Sequence, residues 1–373
     1  MPDPVIASYI TPHGFGHAVR ACAVLRAIHR LAPQVQLTVV TDLDRSFLEN
    51  YLPGIPFRLR QRVLDVGLVQ RDSVRFDLAA SLDRLRRLRA EAGALVAAER
   101  AFLQAAGVRL VVADVPFLAV QAAAAAGIPA VAVSNFSWDW IYQDYAAADP
   151  DWAEIVAWVT DCYRPCNLVL QLPMGQVSAA FRHRLPVPLV ASTNRLSGAA
   201  VRARLGLAAD DKVCLIAFGR LDLPAEAIAR LAQLGDWRFL FRRPVALSLP
   251  NGVEARDWDL SFPDLVAAAS VVISKPGYGV VSDCLAQAKP LVWCQRGPFA
   301  EVPYLLAAVR THLPEAELAT AALYAGDWGP ALAAALAQPP GPPVERLDGA
   351  EVCARLLVDC LHRKWSTPGT ECP

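Results

Sequence analysis

Thr11-Pro12-His13-Gly14-Phe15-Gly16-His17 is the stretch on which the reading of the chain turns. An apolar run, Val5 to Ile10, precedes it and reads as a buried strand. After it, Val19, Cys22, Leu25, Ile28 and Leu31 recur at helical spacing, as on the buried face of a helix over residues 18–31. Strand, glycine turn and helix together open an α/β domain. Gly14 and Gly16 permit positive φ and close backbone approach. A helix N-terminus offers unpaired N–H groups and the positive end of a dipole to an anion. A histidine stands on each side of the turn, and imidazole titrates near neutral pH. The turn is therefore expected to face a substrate, with one histidine moving a proton.

Outward from the turn, strands and helices alternate. Residues 36–41 read as a second strand followed by Asp42-Leu43-Asp44, and residues 57–60 as a short third. Residues 61–76 show no period and read as a loop. Residues 77–106 carry Leu78, Leu82, Leu85, Leu88, Ala92, Leu95 and Phe102 on one helical stripe, with Arg84, Arg86, Arg87 and Arg89 on the other face. That face is either solvated or an anion patch. A β-branched strand over 108–113 ends in Asp114; a helix over 119–126, a Gly127 cap and a strand over 130–133 follow. Such alternation implies a parallel sheet, and ligands of such sheets sit beyond the carboxyl ends of the strands. His13–His17, Asp42–Asp44, Asp114 and the run Ser134 to Trp140 all land there. Distant segments meeting at one rim is what a site requires.

The pattern restarts after Pro186 and Pro188. Strands are expected over 213–218, 237–241, 271–274 and 290–294, with helices over 223–234, 278–288 and 304–310. The fold class is thus α/β, two Rossmann-like domains facing across a cleft. The expected division is 1–190, 191–345, and a tail of 346–373 whose helix packs back on the first domain. The cleft between the domains is the expected binding site.

Composition narrows the function classes. Of 373 residues, 54% are apolar and 19% charged, which describes a globular chain. Lys+Arg and Asp+Glu are each 36, so no global pull toward nucleic acid follows. Nine scattered cysteines without a CxxC pair argue against a zinc site or a disulfide framework and for a reducing, cytoplasmic setting. No signal peptide is visible at the N-terminus. The longest uncharged run, 116–138, is cut by Gly127-Ile128-Pro129 into pieces too short to span a bilayer. No transmembrane segment is expected; peripheral membrane contact stays open.

The second domain has its own glycine turn. Ser274-Lys275-Pro276-Gly277-Tyr278-Gly279 follows a strand and opens a helix, a nest of N–H groups suited to phosphate, with Asp283 one turn on to meet ribose hydroxyls. The alternative is a plain strand–helix turn with a solvent-facing acid. Arg220, after Phe218-Gly219, meets phosphate or solvent. Asp42 and Asp44 read as a metal site, a ribose acid, or a turn with a helix cap. Asp114 reads as a site acid or a helix cap. Trp138, Trp140 and Tyr142 either stack on an acceptor ring or belong to the core.

As a set, these runs resemble the two-domain GT-B glycosyltransferases. Gly14-Phe15-Gly16-His17 resembles the turn of the cell-wall N-acetylglucosaminyltransferases and of plant secondary-metabolite glucosyltransferases. The runs His13–His17, Val63–Gln70, Asn135–Asp139 and Lys275–Gly279 are most similar to the transferase-like N-terminal module of plant L-arabinokinases, in matching order over roughly residues 5 to 310. The sugar-kinase module has no counterpart here, so arabinokinase activity is not implied.

The resemblance implies a nucleotide diphosphate sugar as donor, a UDP-sugar being expected, and an acceptor hydroxyl of unknown identity. It makes His17 the general base and Asp114 its orienting acid. Donor-binding positions are Gly219, Arg220, Ser274, Lys275, Gly277, Tyr278, Gly279, Asp283 and Glu301. Acceptor-binding positions are His13, Gly14, Phe15, Gly16, Asn135, Trp138 and Asp139. Val302 stands where the family has glutamine after the acid. Neither metal nor separate cofactor is expected, because helix N-termini with Arg220 or Lys275 can hold the leaving phosphate. Inversion follows from a single base with in-line attack. Rival readings are a non-catalytic nucleotide-sugar-binding module, recognised by UDP binding without turnover, and an epimerase of the same fold, recognised by product from donor alone. A nicotinamide dehydrogenase is disfavoured because Val19 breaks the glycine fingerprint.

Overall fold

Val5–Ile10, buried at all six positions, is an interior strand of the first sheet. It pairs in parallel with Gln36–Val40 on one side and Val108–Asp114 on the other. The computed structural model describes residues 3–363 except 73, 148 and 258. Its first sheet runs in the order Phe57–Arg60, Gln36–Val40, Val5–Ile10, Val108–Asp114, Ala130–Ser134, Leu168–Gln171 and Arg184–Pro186, all parallel. The inner strands read as continuous apolar runs because helices cover both faces of the sheet.

The second sheet is also parallel, in the order Gly252–Glu254, Trp237–Phe241, Lys212–Ile216, Val271–Ser274, Leu291–Cys294 and Glu315–Leu318. The two sheets share no strand. The closing helix, Gly349–His362, packs on the first-domain helix Phe15–Leu31, with an Arg30–Glu351 ion pair at 2.7 Å on its rim. The part of the expected tail that covers 364–373 lies outside the described residues.

Local differences from the sequence reading have physical causes. The first helix begins at Phe15, because Gly14 takes φ 107° and turns the chain straight into it. The stretch 61–76 is not wholly irregular: Val69–Gln70 pairs antiparallel with Phe76–Asp77. The long helix spans Leu78–Ala105 and is capped by Asp77, whose carboxylate accepts from the Ala80 N–H. Leu78 is exposed at its first position, where no partner faces it. The arginine face pairs with acids, Arg86 with Asp151 and Arg89 with Glu154, as a solvated surface does. The helix after Gly219 starts only at Ala225, beyond the Pro224 cap, so Gly219 does not open a helix N-terminus. The eight described cysteines are buried. Among the described residues, no helix is long and apolar enough to cross a membrane.

The two domains meet at their glycine turns. Helix Phe15–Leu31 packs on helix Tyr278–Ala286 of the second domain. A Cβ built on Gly279 would lie 2.9 Å from the Gly16 Cα, so only glycine admits this approach. Gly279→Ala is expected to push the helix starts apart and destabilise the protein by roughly 1–3 kcal/mol, the usual cost of overpacking. A thermal or denaturant melt equal to wild type would refute this.

Candidate active site

The carboxyl end of Val108–Asp114 delivers Asp114 to the start of helix Phe15–Leu31. The next residue, Val115, holds φ 75°, an uncommon conformation for a β-branched side chain. The Tyr163 hydroxyl donates to the Val115 carbonyl at 2.6 Å and helps hold that bend. Backbone strain of this kind persists only where surrounding contacts enforce it.

His17, in the first turn of the helix, places Nδ1 3.0 Å from Asp114 Oδ1. When Nδ1 carries the ring proton it donates to this carboxylate and Nε2 is free to accept one; an Arg20 terminal nitrogen lies 3.0 Å from the same Nδ1. Asp114 has a second partner that sequence reasoning did not single out. Arg20, 4% exposed, donates Nε to Oδ2 at 2.8 Å and a terminal nitrogen to Oδ1. The fork also reaches Asn135 Oδ1 at 2.6 Å and Ser134 Oγ at 3.2 Å. Burial alone would raise the Asp114 carboxyl; the charges of Arg20 and then His17 outweigh it and hold the group below the usual range. Arg20 lies one turn after His17, off the apolar stripe, so periodicity gave it no role.

The network continues across the cleft. Asn135 Nδ2 donates to Glu301 Oε1 at 2.7 Å, and Glu301 is 3% exposed at the head of helix Val302–His312. The Arg20 guanidinium lies 4.9 Å from the centre of the Tyr278 ring. His17, Asp114, Arg20, Asn135, Glu301 and Tyr278 therefore form one buried group with members from both domains. His13 stands beside it, edge-on to Trp138 at 5.2 Å. Burial and the charges of His17, Arg296 and Lys275 keep His13 well below the usual imidazole range, hence neutral.

Other sequence-predicted positions fall elsewhere. Trp138 and Tyr142 are fully buried and stack on each other at 5.5 Å, so they belong to the core, while Trp140 is half-buried against Tyr304. Trp138 donates its indole N–H to Asp65 at 2.7 Å; that buried acid, pushed up to about 6 by burial, was also missed, since it lies in a run without period. Asp139 turns to Thr160, 3.0 Å away. The Ser274 hydroxyl donates to the Ala217 carbonyl at 2.6 Å. Arg220 is exposed beside Asp222. Phe15 is half exposed against Phe47. Asp44 immediately precedes helix Arg45–Tyr51. Asp283 is not a solvent-facing acid: it is 2% exposed and accepts the Ser192 N–H at 3.0 Å.

No family model matches the chain. L-arabinokinase of Arabidopsis thaliana is 31% identical over 364 residues, which is 95% of this chain. The chain spans about a third (34%) of that relative's length. Among solved structures, the glycotransferase of kitacinnamycin aligns with 96% of this chain and 97% of its own, at TM-score 0.60 and 17% identity. A UDP-glucosyltransferase from Polygonum tinctorium aligns with 97% and 99%, at TM-score 0.59 and 15% identity. The chain has the GT-B fold. A third GT-B structure, UDP-glucose:anthocyanidin 3-O-glucosyltransferase in complex with UDP, aligns with 96% of this chain and 95% of its own, at TM-score 0.53 and 13% identity. Two parallel sheets, one in each Rossmann-like domain, are the GT-B arrangement.

Two outcomes follow from the electrostatics. Arg20→Met strands a buried carboxylate and is expected to cost about 3–5 kcal/mol; adding Asp114→Asn should recover most of it. Calorimetric melts of the single and double variants decide, and an unrecovered double variant would refute the pairing. Burial pushes Asp283 up to about 7, above its unfolded value near 4. The folded protein then holds a proton that the unfolded chain releases, so this residue's contribution to stability falls as pH rises from about 4 to 7. Asp283→Asn should flatten that part of the stability–pH curve; an unchanged slope would exclude the assignment.

Proposed function

We propose that this GT-B chain transfers a sugar from a nucleotide diphosphate sugar, with a UDP-sugar as expected donor, to an acceptor hydroxyl. The observation that carries the reading is the meeting of the two turns. His17 follows Gly16, and Gly16 touches Gly279 in the turn Gly277–Gly279 that opens helix Tyr278–Ala286. A base and an anion-binding helix start thus share one seam.

In this reading Nε2 of His17 takes the acceptor proton while the acceptor oxygen attacks the anomeric carbon. The bond from that carbon to the diphosphate oxygen breaks, and the electron pair leaves with the diphosphate. Attack from the face opposite the leaving group inverts the centre. Asp114 holds the ring proton on Nδ1 and favours the imidazolium as it forms, as the acid of a triad does. Arg20 keeps Asp114 ionised and in register. Lys275 and the N–H groups of the turn meet the growing negative charge, so the step needs no metal. A donor hydroxyl takes the place of Asn135 on Glu301. Val302 offers no polar atom beside it, which leaves recognition of the sugar to Glu301.

Sugar transfer measured over a UDP-sugar panel tests this. His17→Ala is expected to lower kcat about 10²- to 10⁴-fold, the usual worth of a general base, while UDP still raises the melting temperature. Undiminished turnover would remove His17 from the role. Firm UDP binding with no transfer to any acceptor would favour a binding module.

A further inference from the structure

Two cations beside the second glycine turn make no ion pair among the described residues. Lys275 Nζ reaches only the amide oxygen of Gln70, at 3.3 Å. Arg296, on the loop between strand Leu291–Cys294 and helix Val302–His312, donates one terminal nitrogen to the Pro276 carbonyl at 3.3 Å. Its Nε is buried and makes no hydrogen bond among the described residues. The guanidinium is walled by two rings, 4.0 Å from the centre of Phe299 and 4.8 Å from that of Phe76. Those rings come from different domains, because Gly297 N–H donates to the Val74 carbonyl at 2.8 Å and ties the two loops together.

Arg20 has Asp114, whereas neither Lys275 nor Arg296 forms an ion pair among the described residues. Burial lowers both groups, Lys275 to about 7 and Arg296 to about 10; the Arg296 charge lowers Lys275 further, while the Glu301 carboxylate acts on Arg296 in the opposite sense. Burying two cations without an ion pair is costly. The arrangement becomes favourable when a multivalent anion enters.

We propose that Arg296 and Lys275 form a two-cation clamp for the terminal phosphate of the donor's diphosphate, with Arg296 holding the charge that develops on the leaving group. This rests on the transferase reading above and names residues for its leaving-group site. Pro276 lies between Lys275 and Gly277, so both side chains flank the N–H groups at the start of helix Tyr278–Ala286. A planar fork suits phosphate oxygens, and the Phe76 and Phe299 faces hold it while excluding water.

Titration calorimetry with UDP, UMP, inorganic pyrophosphate and UDP-glucuronate tests the clamp. Arg296→Gln is expected to weaken UDP and pyrophosphate roughly tenfold to a hundredfold and to leave UMP within about twofold. Circular dichroism confirms folding. If Arg296→Gln does not fold, Arg296→Lys, which keeps the charge but loses the fork, is read by the same UDP-to-UMP ratio and should narrow it. An unchanged ratio in the folded variant overturns the proposal. So does a loss confined to UDP-glucuronate, which would make Arg296 a reader of a sugar carboxylate. Arg296-dependent pyrophosphate binding without any uridine nucleotide binding would uphold the clamp and sink the nucleotide-sugar reading instead.

Discussion

One buried negative charge organises this protein. The Asp114 carboxylate lies at the end of an interior strand and is 3% exposed. A charge in that position is tolerated only with hydrogen-bonded opposite charge beside it. Arg20 supplies it with a two-point contact, and His17 adds a third. Because both belong to helix Phe15–Leu31, satisfying the carboxylate also fixes the rotation of that helix over the sheet. The strained φ of Val115 is the backbone counterpart of the same demand.

From that point the constraint spreads into the second domain. The Arg20 fork orients Asn135, and Asn135 reaches Glu301. The face of Arg20 is covered by Tyr278, whose hydroxyl accepts the Val190 N–H of the segment linking the domains, at 3.3 Å. The glycine-to-glycine approach sets how close the two helix starts come. Charges at the seam are sorted as a result. The Asp114 carboxylate and its partners lie at the first glycine turn, and Lys275 and Arg296, which form no ion pair among the described residues, lie at the second. A reaction that takes a proton at one end and expels a diphosphate at the other uses such a separation directly.

The glycine turns, the strand ends and the alternation of strands with helices were legible because each rests on local chemistry. Strand periodicity, the φ freedom of glycine and the stiffness of proline act within a few residues. Parallel strands deliver their carboxyl ends to one rim, which placed His17 and Asp114 near each other, and the resemblance to GT-B enzymes paired them. Arg20, Asp65 and Arg296 could not. Arginine and aspartate are surface residues by default, and nothing within a few positions of Arg20 marks it as the partner of a carboxylate 94 residues away. The same reasoning left Asp283 between a ribose-binding acid and a solvent-facing one, whereas its carboxylate is buried and accepts the Ser192 N–H of the linking segment. It also left Trp138 and Tyr142 open between core and ligand, and their burial inside the first domain was decided by neighbours distant in sequence, such as Asp65 on the Trp138 indole.

What the amino-acid order determined on its own is the pair of parallel α/β sheets, the two turns able to present N–H groups, and a histidine beside the first turn. These follow from periodicity and backbone freedom, which are properties of short segments. What the tertiary structure alone decided is which charges are opposed and which are left open. That depends on burial and on distances between residues far apart in the chain, and the energy of a charge is set by those two quantities and not by its sequence neighbours.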